Sequence, residues 1–366
     1  MNLDDKIYVA GHTGLVGSAF MRELYKTGFS NIVTRSYQEL DLRNQQSVDG
    51  FFMQEKPAYV FLAAARVGGI WANKIYPADF IYDNLMIAAN IVHAAYRHNV
   101  KRLLNLGSSC IYPKNAPQPI KEDYLLTDSL EPTNEPYALA KIAAIKLCHA
   151  YRVQYGFETV SLMPTNLYGP CDNFNLETAH VLPALLRKFH LAKLLAEDNF
   201  DAIRMDAIKV PFGFGVNLQN LSDDTIRFVL QQHGVQAHAV TVWGTGKVYR
   251  EFLHADYVAQ AGLFFMRQKK CVENAWINVG SGIDCTIEQL VVMVQKVVGF
   301  KGLVVYNSAK PDGVVRKVLD VSLLQSYGII LPSLDVASLE LVYAWYCSWI
   351  DRQDSVKEFI KKQETV

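Results

Sequence analysis

The sequence lacks an excess of charge of either sign, and it lacks any long apolar run. Its 36 basic side chains balance 36 acidic ones, whereas a nucleic-acid-binding surface needs a concentration of Lys and Arg. No apolar stretch approaches the roughly 20 residues that a helix needs to span a bilayer. The N-terminal residues, MNLDDKIYVAG, include no basic segment leading into a long apolar run, as a secretory signal would. We therefore expect no nucleic-acid partner, no membrane partner and no secretion.

Cysteine is sparse and scattered, which bears on the cellular compartment. None of the six cysteines forms a C-x-x-C pair, and their spacing is typical neither of a zinc site nor of a dense disulfide framework. They are Cys110, Cys148, Cys171, Cys271, Cys285 and Cys347. The pattern predicts reduced thiols in a cytoplasmic protein without a metal site.

The chain does have length and apolar content. Its 366 residues, half of them hydrophobic, predict two globular lobes with a cleft between them. In the first half, β-rich runs alternate with helical patterns at 6–10, 18–26, 31–36, 48–55, 59–64, 83–98, 103–106, 137–155 and 158–163. Such alternation is typical of a parallel sheet with helices on both faces. The predicted fold class is α/β: a Rossmann-type doubly wound parallel sheet with a smaller, mixed α/β substrate-binding lobe.

The predicted boundary between the lobes follows Pro164, where the regular alternation loosens. Residues 1–165 are assigned to the first lobe, which parts of 250–280 could complete, and 166–366 mainly to the second. The segment 191–238 is polar, mixed and weakly periodic, and we interpret it as an insertion on the second lobe. The remaining predicted elements are a strand at 275–280, a helix at 286–298 and a helical tail at 338–362.

A glycine-rich turn directly follows the first predicted strand and opens a helical pattern. Glycines there permit a tight turn and let the backbone approach a pyrophosphate, whose charge is favoured at a helix N-terminus. A turn that merely joins strand to helix is the alternative, but the N-terminal strand-turn-helix context favours dinucleotide binding. The predicted cofactor contacts in this turn are Gly11, Thr13, Gly14, Leu15, Val16 and Gly17.

The end of the second predicted strand indicates which dinucleotide binds. An acidic residue there would hold the ribose hydroxyls of NAD, whereas a basic residue tolerates the 2′-phosphate of NADP. This strand ends at Arg35, and the next acid is Glu39. Arg35 favours NADP (NADPH), although a solvated surface arginine is the alternative. Further predicted cofactor contacts are Asp41 and Leu42, which would hold the adenine edge, and Ala63, Ala64 and Ala65, which would line the cleft.

A tyrosine and a lysine four residues apart begin another predicted helix. Tyr137 and Lys141 would share one helix face, and the nearby ammonium is expected to lower the pKa of Tyr137. A tyrosine of this kind exchanges a proton with a carbonyl oxygen while a nicotinamide transfers hydride. Ser108, at the end of an earlier strand, can donate a hydrogen bond to the same carbonyl. A surface Tyr/Lys pair is the alternative, but the order of glycine turn, serine and Tyr/Lys pair favours ketone reduction.

Longer segments carry a more specific resemblance. The chain resembles the extended short-chain dehydrogenase/reductases, and within them the GDP-L-fucose synthase family, along nearly its whole length. The segments that carry the likeness include AGHTGLVGSA, LAAARVGGIWAN, LGSSCIYPK, EPTNEPYALAKIAAIKLC, MPTNLYGPCDNFN, VWGTGKVYREFLH and KPDGVVRKVLD. The resemblance implies NADPH-dependent 3,5-epimerisation and 4-reduction of GDP-4-keto-6-deoxy-D-mannose to GDP-L-fucose. It also implies a homodimer formed through the helices at 83–98 and 137–155.

The resemblance assigns further residues by position. Ser108, Tyr137 and Lys141 carry the reduction, and Cys110 and His180 are the pair that moves the C3 and C5 protons. The alternatives for this pair are a small buried cysteine and a surface histidine. Cofactor contacts include Tyr137, Lys141, Pro164, Asn166, Leu167 and His180. Substrate contacts are Ser109, Cys110, Asn166, Lys188, Trp243, Arg250 and Lys317.

Departures from the family pattern keep two other functions open. Thr13 and Tyr37 stand where relatives place arginines for the 2′-phosphate, Lys188 stands in place of an arginine, and the segment 191–238 is longer than usual. The alternatives are a related reductase or epimerase acting on another GDP-deoxysugar, and a non-catalytic nucleotide-sugar-binding protein. Related sugar dehydratases carry an Asp-Glu pair at Ser109 and Cys110, so dehydration is disfavoured.

Overall fold

A computed structural model describes residues 1–268, 276–310 and 312–351. Its strands, in chain order, are β1 (Ile7–Ala10), β2 (Ile32–Val33), β3 (Tyr59–Leu62), β4 (Arg102–Leu106), β5 (Thr159–Pro164), β6 (Asn166–Tyr168), β7 (Val235–Gln236), β8 (Ala239–Trp243), β9 (Tyr249–His254), β10 (Trp276–Val279), β11 (Asp284–Thr286), β12 (Leu303–Asn307) and β13 (Arg316–Lys317). Its α-helices are α1 (Leu15–Lys26), α2 (Gln45–Glu55), α3 (Ile70–Ile75), α4 (Pro77–Arg97), α5 (Glu135–Tyr155), α6 (Val181–Ala196), α7 (Phe200–Lys209), α8 (Asp223–Gln232), α9 (Ala255–Arg267), α10 (Ile287–Val298), α11 (Ser322–Ser326) and α12 (Val336–Asp351).

The larger sheet is parallel, with the spatial order β2-β1-β3-β4-β5-β10. Strands β1, β3 and β4 are buried along their whole length, as is typical of the inner strands of a parallel sheet that is covered on both faces. Val9 and Leu104 share a core cluster with residues of α1 and α9, whereas Tyr8 and Leu103 share another with residues of α2 and α4. Successive strand residues therefore pack on opposite faces of the sheet, which confirms the predicted doubly wound α/β fold.

The strand order reverses at β1. The chain places β2 on one side of β1 and then crosses to β3 on the other side. In open α/β sheets, a ligand binds in the crevice that such a reversal opens beyond the carboxyl ends of the strands. The glycine turn after Ala10 and the alanines after Leu62 border this crevice.

The second lobe contains two small mixed sheets. In one, β9 pairs in parallel with β6 and β13 and antiparallel with β11. In the other, β8 pairs in parallel with β12 and antiparallel with β7. The predicted smaller, mixed α/β lobe is therefore confirmed. Strand β10 joins the larger sheet, while the division of the chain at residue 165 stays a prediction.

The segment 191–238 is more regular than its sequence suggests. Its first residues complete α6, and the rest forms α7, α8, β7 and connecting loops. Leu195, Ile203 and Leu230 are buried in the core cluster of the second lobe. The weak periodicity therefore reflects short helices separated by loops, not a lack of structure.

The later predicted elements also have counterparts. The predicted helix at 286–298 is α10, which begins at a capping box formed by Thr286 and Gln289. The predicted helical tail begins as α12, while the part of that prediction beyond residue 351, together with Cys271 and residue 275, lies outside the described residues. Among the described helices, none is both long and apolar enough to cross a bilayer. The same residues contain no cluster of His, Cys, Asp and Glu that could hold a metal ion.

Candidate functional site

The glycine turn leaves no room for side chains at two positions. Gly11 adopts a φ of +81°, and a Cβ there would lie 2.8 Å from the backbone nitrogen of Ala64. A Cβ on Gly17 would lie 1.9 Å from the carbonyl oxygen of Gly11. Gly14 is the N-cap of α1 and has no side chain to cap the helix. The first turn of α1 therefore presents bare backbone amides to the crevice, which fits the pyrophosphate of a dinucleotide.

Arg35, the predicted contact for a 2′-phosphate, already has protein partners. Its guanidinium donates to Glu55 Oε1 at 2.6 Å and lies over the ring of Phe51. The remaining predicted contacts follow the carboxyl ends of neighbouring strands, with Leu42 and Ala64 packed at the edge of one core cluster. Arg35 stays a prediction, and any phosphate it binds must compete with the carboxylate of Glu55.

Arg43, which no motif in the sequence marks as a site residue, lies just before the N-cap of α2. Its guanidinium donates to Asp41 and Asp83 and also to the hydroxyl of Tyr37, over whose ring it lies. Nothing in the local sequence distinguishes Arg43 from a solvated arginine, because Asp83 is 40 residues away along the chain. Tyr37 and Arg43 are thus the pair that occupies the connection after β2.

Ser108, Tyr137 and Lys141 converge at the carboxyl end of β4. Tyr137 lies in the first turn of α5, and the Ser108 hydroxyl forms a hydrogen bond with its side chain. Lys141 Nζ donates to the carbonyl oxygen of Leu106 at 2.8 Å and lies 5.8 Å from the centre of the Tyr137 ring. The tyrosine, the lysine and the serine hydroxyl are therefore close enough to act on one carbonyl group.

The pKa of Tyr137 shifts in the direction opposite to our expectation. Burial raises this pKa, the nearby Cys110 raises it further, and the hydrogen bond from Ser108 lowers it. Burial also lowers the pKa of Lys141 to about 8. Both groups are taken out of water by the same packing, which penalises their charged forms. The expected lowering of the Tyr137 pKa is wrong for the protein alone, and the phenol stays protonated at neutral pH.

Cys110 lies in a short 3-10 turn after β4, next to two cations. Its backbone N–H donates to Ser108 Oγ at 3.2 Å, and Lys317 Nζ lies 3.7 Å from its Sγ. Lys317 is paired with Arg250 across β13 and β9, and Cys110 acts electrostatically on Arg250. Burial lowers the pKa of Arg250. The neighbouring Ser109 side chain is buried, so of these two residues Cys110 is the more accessible to a ligand.

His180 is the N-cap residue of α6, at the end of a loop that starts after β6. Its side chain remains accessible to solvent, yet the surrounding protein lowers its pKa by desolvation. The loop contacts the segment after β3, where the N–H of Gly69 donates to the carbonyl oxygen of Thr178 at 2.8 Å. His180 is therefore held by a loop that touches the cofactor lobe, and its imidazole is mainly neutral near pH 7.

The other predicted substrate contacts lie on the second lobe. Lys188 Nζ donates to the carbonyl oxygen of Thr241 at 3.1 Å, and burial lowers the Lys188 pKa to about 8. Trp243, two residues further along β8, is half exposed, and its ring centre lies 5.2 Å from Lys310 Nζ. Asn166 uses its amide to donate to the carbonyl oxygen of Glu251 at 2.8 Å. These assignments stay predictions, as do Pro164 at the end of β5 and Leu167 in β6.

Comparison with known proteins places this geometry in a family. Residues 7–205 match the NAD dependent epimerase/dehydratase family. The chain is 49% identical to GDP-L-fucose synthase 1 of Arabidopsis thaliana over 93% of each chain. It is 46% identical to the GDP-L-fucose synthase of Escherichia coli over 95% of this chain and 98% of that protein.

Solved structures of enzymes that act on GDP-sugars have a similar fold and a related sequence. A GDP-6-OMe-4-keto-L-xylo-heptose reductase from Campylobacter jejuni is 40% identical, with a TM-score of 0.87 over 95% of this chain and 99% of that one. A GDP-D-glycero-L-gluco-heptose synthase from the same organism, determined in the presence of NADPH, is 40% identical, with a TM-score of 0.85 over 94% of this chain and 99% of that one. The chain belongs to the NAD dependent epimerase/dehydratase family and, within it, to the GDP-L-fucose synthase family.

Proposed function

We propose that this protein converts GDP-4-keto-6-deoxy-D-mannose into GDP-L-fucose by epimerising C3 and C5 and reducing the C4 ketone with NADPH. The observation that carries the proposal is the convergence of Ser108, Tyr137 and Lys141 with Cys110, beside the cations of Lys317 and Arg250. Close relatives at 46% and 49% identity that are GDP-L-fucose synthases support the choice of substrate.

In the reduction, NADPH would supply the hydride that C4 receives. Ser108 and Tyr137 hydrogen-bond the ketone oxygen, and Tyr137 then gives its proton to that oxygen. The raised pKa of Tyr137 keeps this proton in place at neutral pH. Lys141, whose ammonium lies 5.8 Å from the ring centre, stabilises the phenolate that remains.

The epimerisation uses the same hydrogen bonds from Ser108 and Tyr137 to the ketone oxygen, because polarising this oxygen acidifies the protons on C3 and C5. Cys110, whose Sγ lies 3.7 Å from Lys317 Nζ, acts as the base that removes a proton. His180 returns a proton from the other face of the sugar. Its lowered pKa makes the imidazolium a stronger acid but reduces its population as the pH rises.

The diphosphate and guanosine would bind on the second lobe. Lys188, Arg250 and Lys317 supply positive charge for the diphosphate, and Asn166 supplies an amide. Trp243 has an exposed indole that can pack against the base or a sugar. Ser109 and Cys110 complete the proposed substrate contacts, Ser109 through its backbone.

The decisive experiment incubates the purified protein with GDP-4-keto-6-deoxy-D-mannose and NADPH. We expect a loss of absorbance from NADPH and formation of GDP-L-fucose, identified by the configuration of the product at C3, C4 and C5. No oxidation of NADPH with this substrate would refute the proposal.

A second candidate function is reduction or epimerisation of another GDP-sugar. It is favoured by the likeness to two Campylobacter jejuni proteins whose titles name GDP-heptoses, at 40% identity. The two functions are separated by supplying a GDP-4-keto-heptose and GDP-4-keto-6-deoxy-D-mannose in parallel. A kcat/KM that is higher for the heptose would favour the second candidate.

We predict that NADPH is preferred over NADH, with a lower KM. The connection after β2 carries Arg35 and Arg43 and has no acid at the end of the strand. Arg35→Ala should lower the ratio of the KM for NADH to the KM for NADPH by about tenfold or less, because Glu55 already neutralises part of the Arg35 charge. Lys26→Ala, at the exposed end of α1, is the control. Equal KM values for the two cofactors in the wild-type protein would contradict the prediction.

We also propose that the protein is a cytoplasmic homodimer. Helices α4 and α5 lie side by side and expose Tyr82, Leu85, Leu139 and Val153. A two-fold axis would bury these apolar groups against a second copy. Light scattering should give a mass of twice the 41.2 kDa of one chain, and a monomeric mass at micromolar concentration would count against the dimer.

A further inference from the structure

Residues 210–216, within the segment 191–238, form hydrogen bonds with the loop between β6 and α6 that ends at His180. The N–H of Leu176 donates to the carbonyl oxygen of Phe212 at 3.2 Å. In return, the N–H of Phe214 donates to Glu177 Oε2 at 2.6 Å. Gly213 fits between them with a φ of +97°, since a Cβ there would lie 2.7 Å from the Cβ of Glu177. We call residues 210–216 the clasp.

A buried arginine ties the clasp and the loop to the same point. The Arg187 side chain is fully buried and pairs with Asp206 of α7 at 2.6 Å. The same guanidinium donates to the carbonyl oxygens of Val210 and Pro211 in the clasp and of Phe174 in the loop. A buried guanidinium is stable only when its donors are satisfied, so these contacts hold the two segments in a fixed arrangement.

The clasp is also connected, through His233, with Lys188, which is a predicted diphosphate contact. The Phe214 ring stacks on His233, with ring centres 4.6 Å apart. Lys188 is close enough to His233 to act on it electrostatically. His180 is the N-cap of α6, and Lys188 lies within that helix next to Arg187, whose guanidinium binds the clasp.

We propose that Glu177 is a positioning residue, which holds the loop against the clasp so that His180 faces the sugar ring. The inference rests on the proposed function, and it makes the segment 191–238 part of the epimerisation site. Glu177 itself touches no reacting atom in this scheme, because its carboxylate is bound to the backbone of Phe214. Its effect on the reaction passes through the orientation of His180, three residues further along the chain.

The test compares Glu177→Ala with Glu177→Gln and with the control Glu197→Ala. Glu197 is exposed and lies at the opposite end of α6 from His180. Glu177→Ala should slow solvent-deuterium incorporation at C3 and C5 by about 10- to 100-fold, since a small misplacement of a reacting group has effects of this size. The KM for NADPH should stay within about twofold, because His180 is the one predicted cofactor contact that lies on this loop. Glu177→Gln should restore exchange, as its amide oxygen can accept the Phe214 N–H.

A second measurement needs no substrate. Hydrogen exchange of the peptide that spans residues 173–181 should be faster in Glu177→Ala than in the wild type or in Glu197→Ala. Unchanged protection of this peptide, or deuterium incorporation at the wild-type rate, would overturn the inference. An equal loss of sugar exchange and NADPH affinity would also overturn it, by showing a general structural role. If the wild-type protein neither exchanges deuterium nor oxidises NADPH, the proposed function fails, and the peptide measurement still decides the role of Glu177.

Discussion

Tyr137→Phe is expected to lower the rate of C4 reduction by about 100-fold or more, which is the usual contribution of a general acid. The substitution removes the proton that the ketone oxygen must receive and leaves the ring packed near Phe80. NADPH consumption in the presence of GDP-4-keto-6-deoxy-D-mannose measures the effect. Binding of NADPH, followed by its fluorescence, should change little. Tyr155→Phe, in the last turn of the same helix, is the control.

The pH dependence of the reduction follows from Lys141. Burial lowers the pKa of this lysine to about 8, so its ammonium is present below that pH and is lost above it. The phenolate left by proton transfer then lacks its stabilising charge, and kcat for reduction should fall as the pH rises through about 8. Tyr137→Phe should show a low and flat profile over this range. A wild-type rate that is unchanged between pH 7 and pH 9 would contradict the role of Lys141.

The features predicted from the sequence were those fixed by neighbouring residues. The turn at Gly11 and Gly17 and the parallel sheet follow from local spacing, because strand and helix periods repeat every few residues. The pair of Tyr137 and Lys141 is likewise local to α5. The structure confirms the α/β class for this reason, with a mixed second lobe.

What the sequence could not predict depends on contacts between distant residues. Glu55, which neutralises Arg35, is 20 residues away, and Lys317 is 207 residues from Cys110. The direction of the Tyr137 pKa shift depends on burial, which arises only when the chain folds. A sequence pattern cannot predict these interactions, because it does not show which charged groups come into contact or how far each group is desolvated.

The segment 191–238 shows the same limit at a larger scale. Its polar composition and weak periodicity predicted an insertion on the second lobe, and they gave no sign that Phe212 is buried in the core of that lobe. The clasp depends on Gly213 in a left-handed conformation and on a backbone N–H that meets Glu177. Backbone donors leave no trace in residue types, so a sequence pattern does not reveal this contact.

Cys110→Ser is expected to lower deuterium incorporation at C3 and C5 by about 100-fold or more, because a serine hydroxyl is a far weaker base than a thiolate. NADPH binding should be preserved, since Cys110 lies beside Lys317 on the substrate side. The variant should still reduce the ketone slowly and give a sugar whose C3 and C5 configurations are unchanged. Mass spectrometry of the keto sugar in deuterated water measures exchange, and NMR gives the configuration of the reduced product.

Cys285→Ser is the matched control for this substitution. Burial raises the pKa of the Cys285 thiol to about 11, so it stays protonated at neutral pH and cannot serve as a base. Exchange in Cys285→Ser should therefore equal that of the wild type. If Cys110→Ser also exchanged deuterium at the wild-type rate, Cys110 would not be the base. The proton would then have to be removed by a water or by His180, whose lowered pKa keeps its imidazole neutral and able to accept a proton.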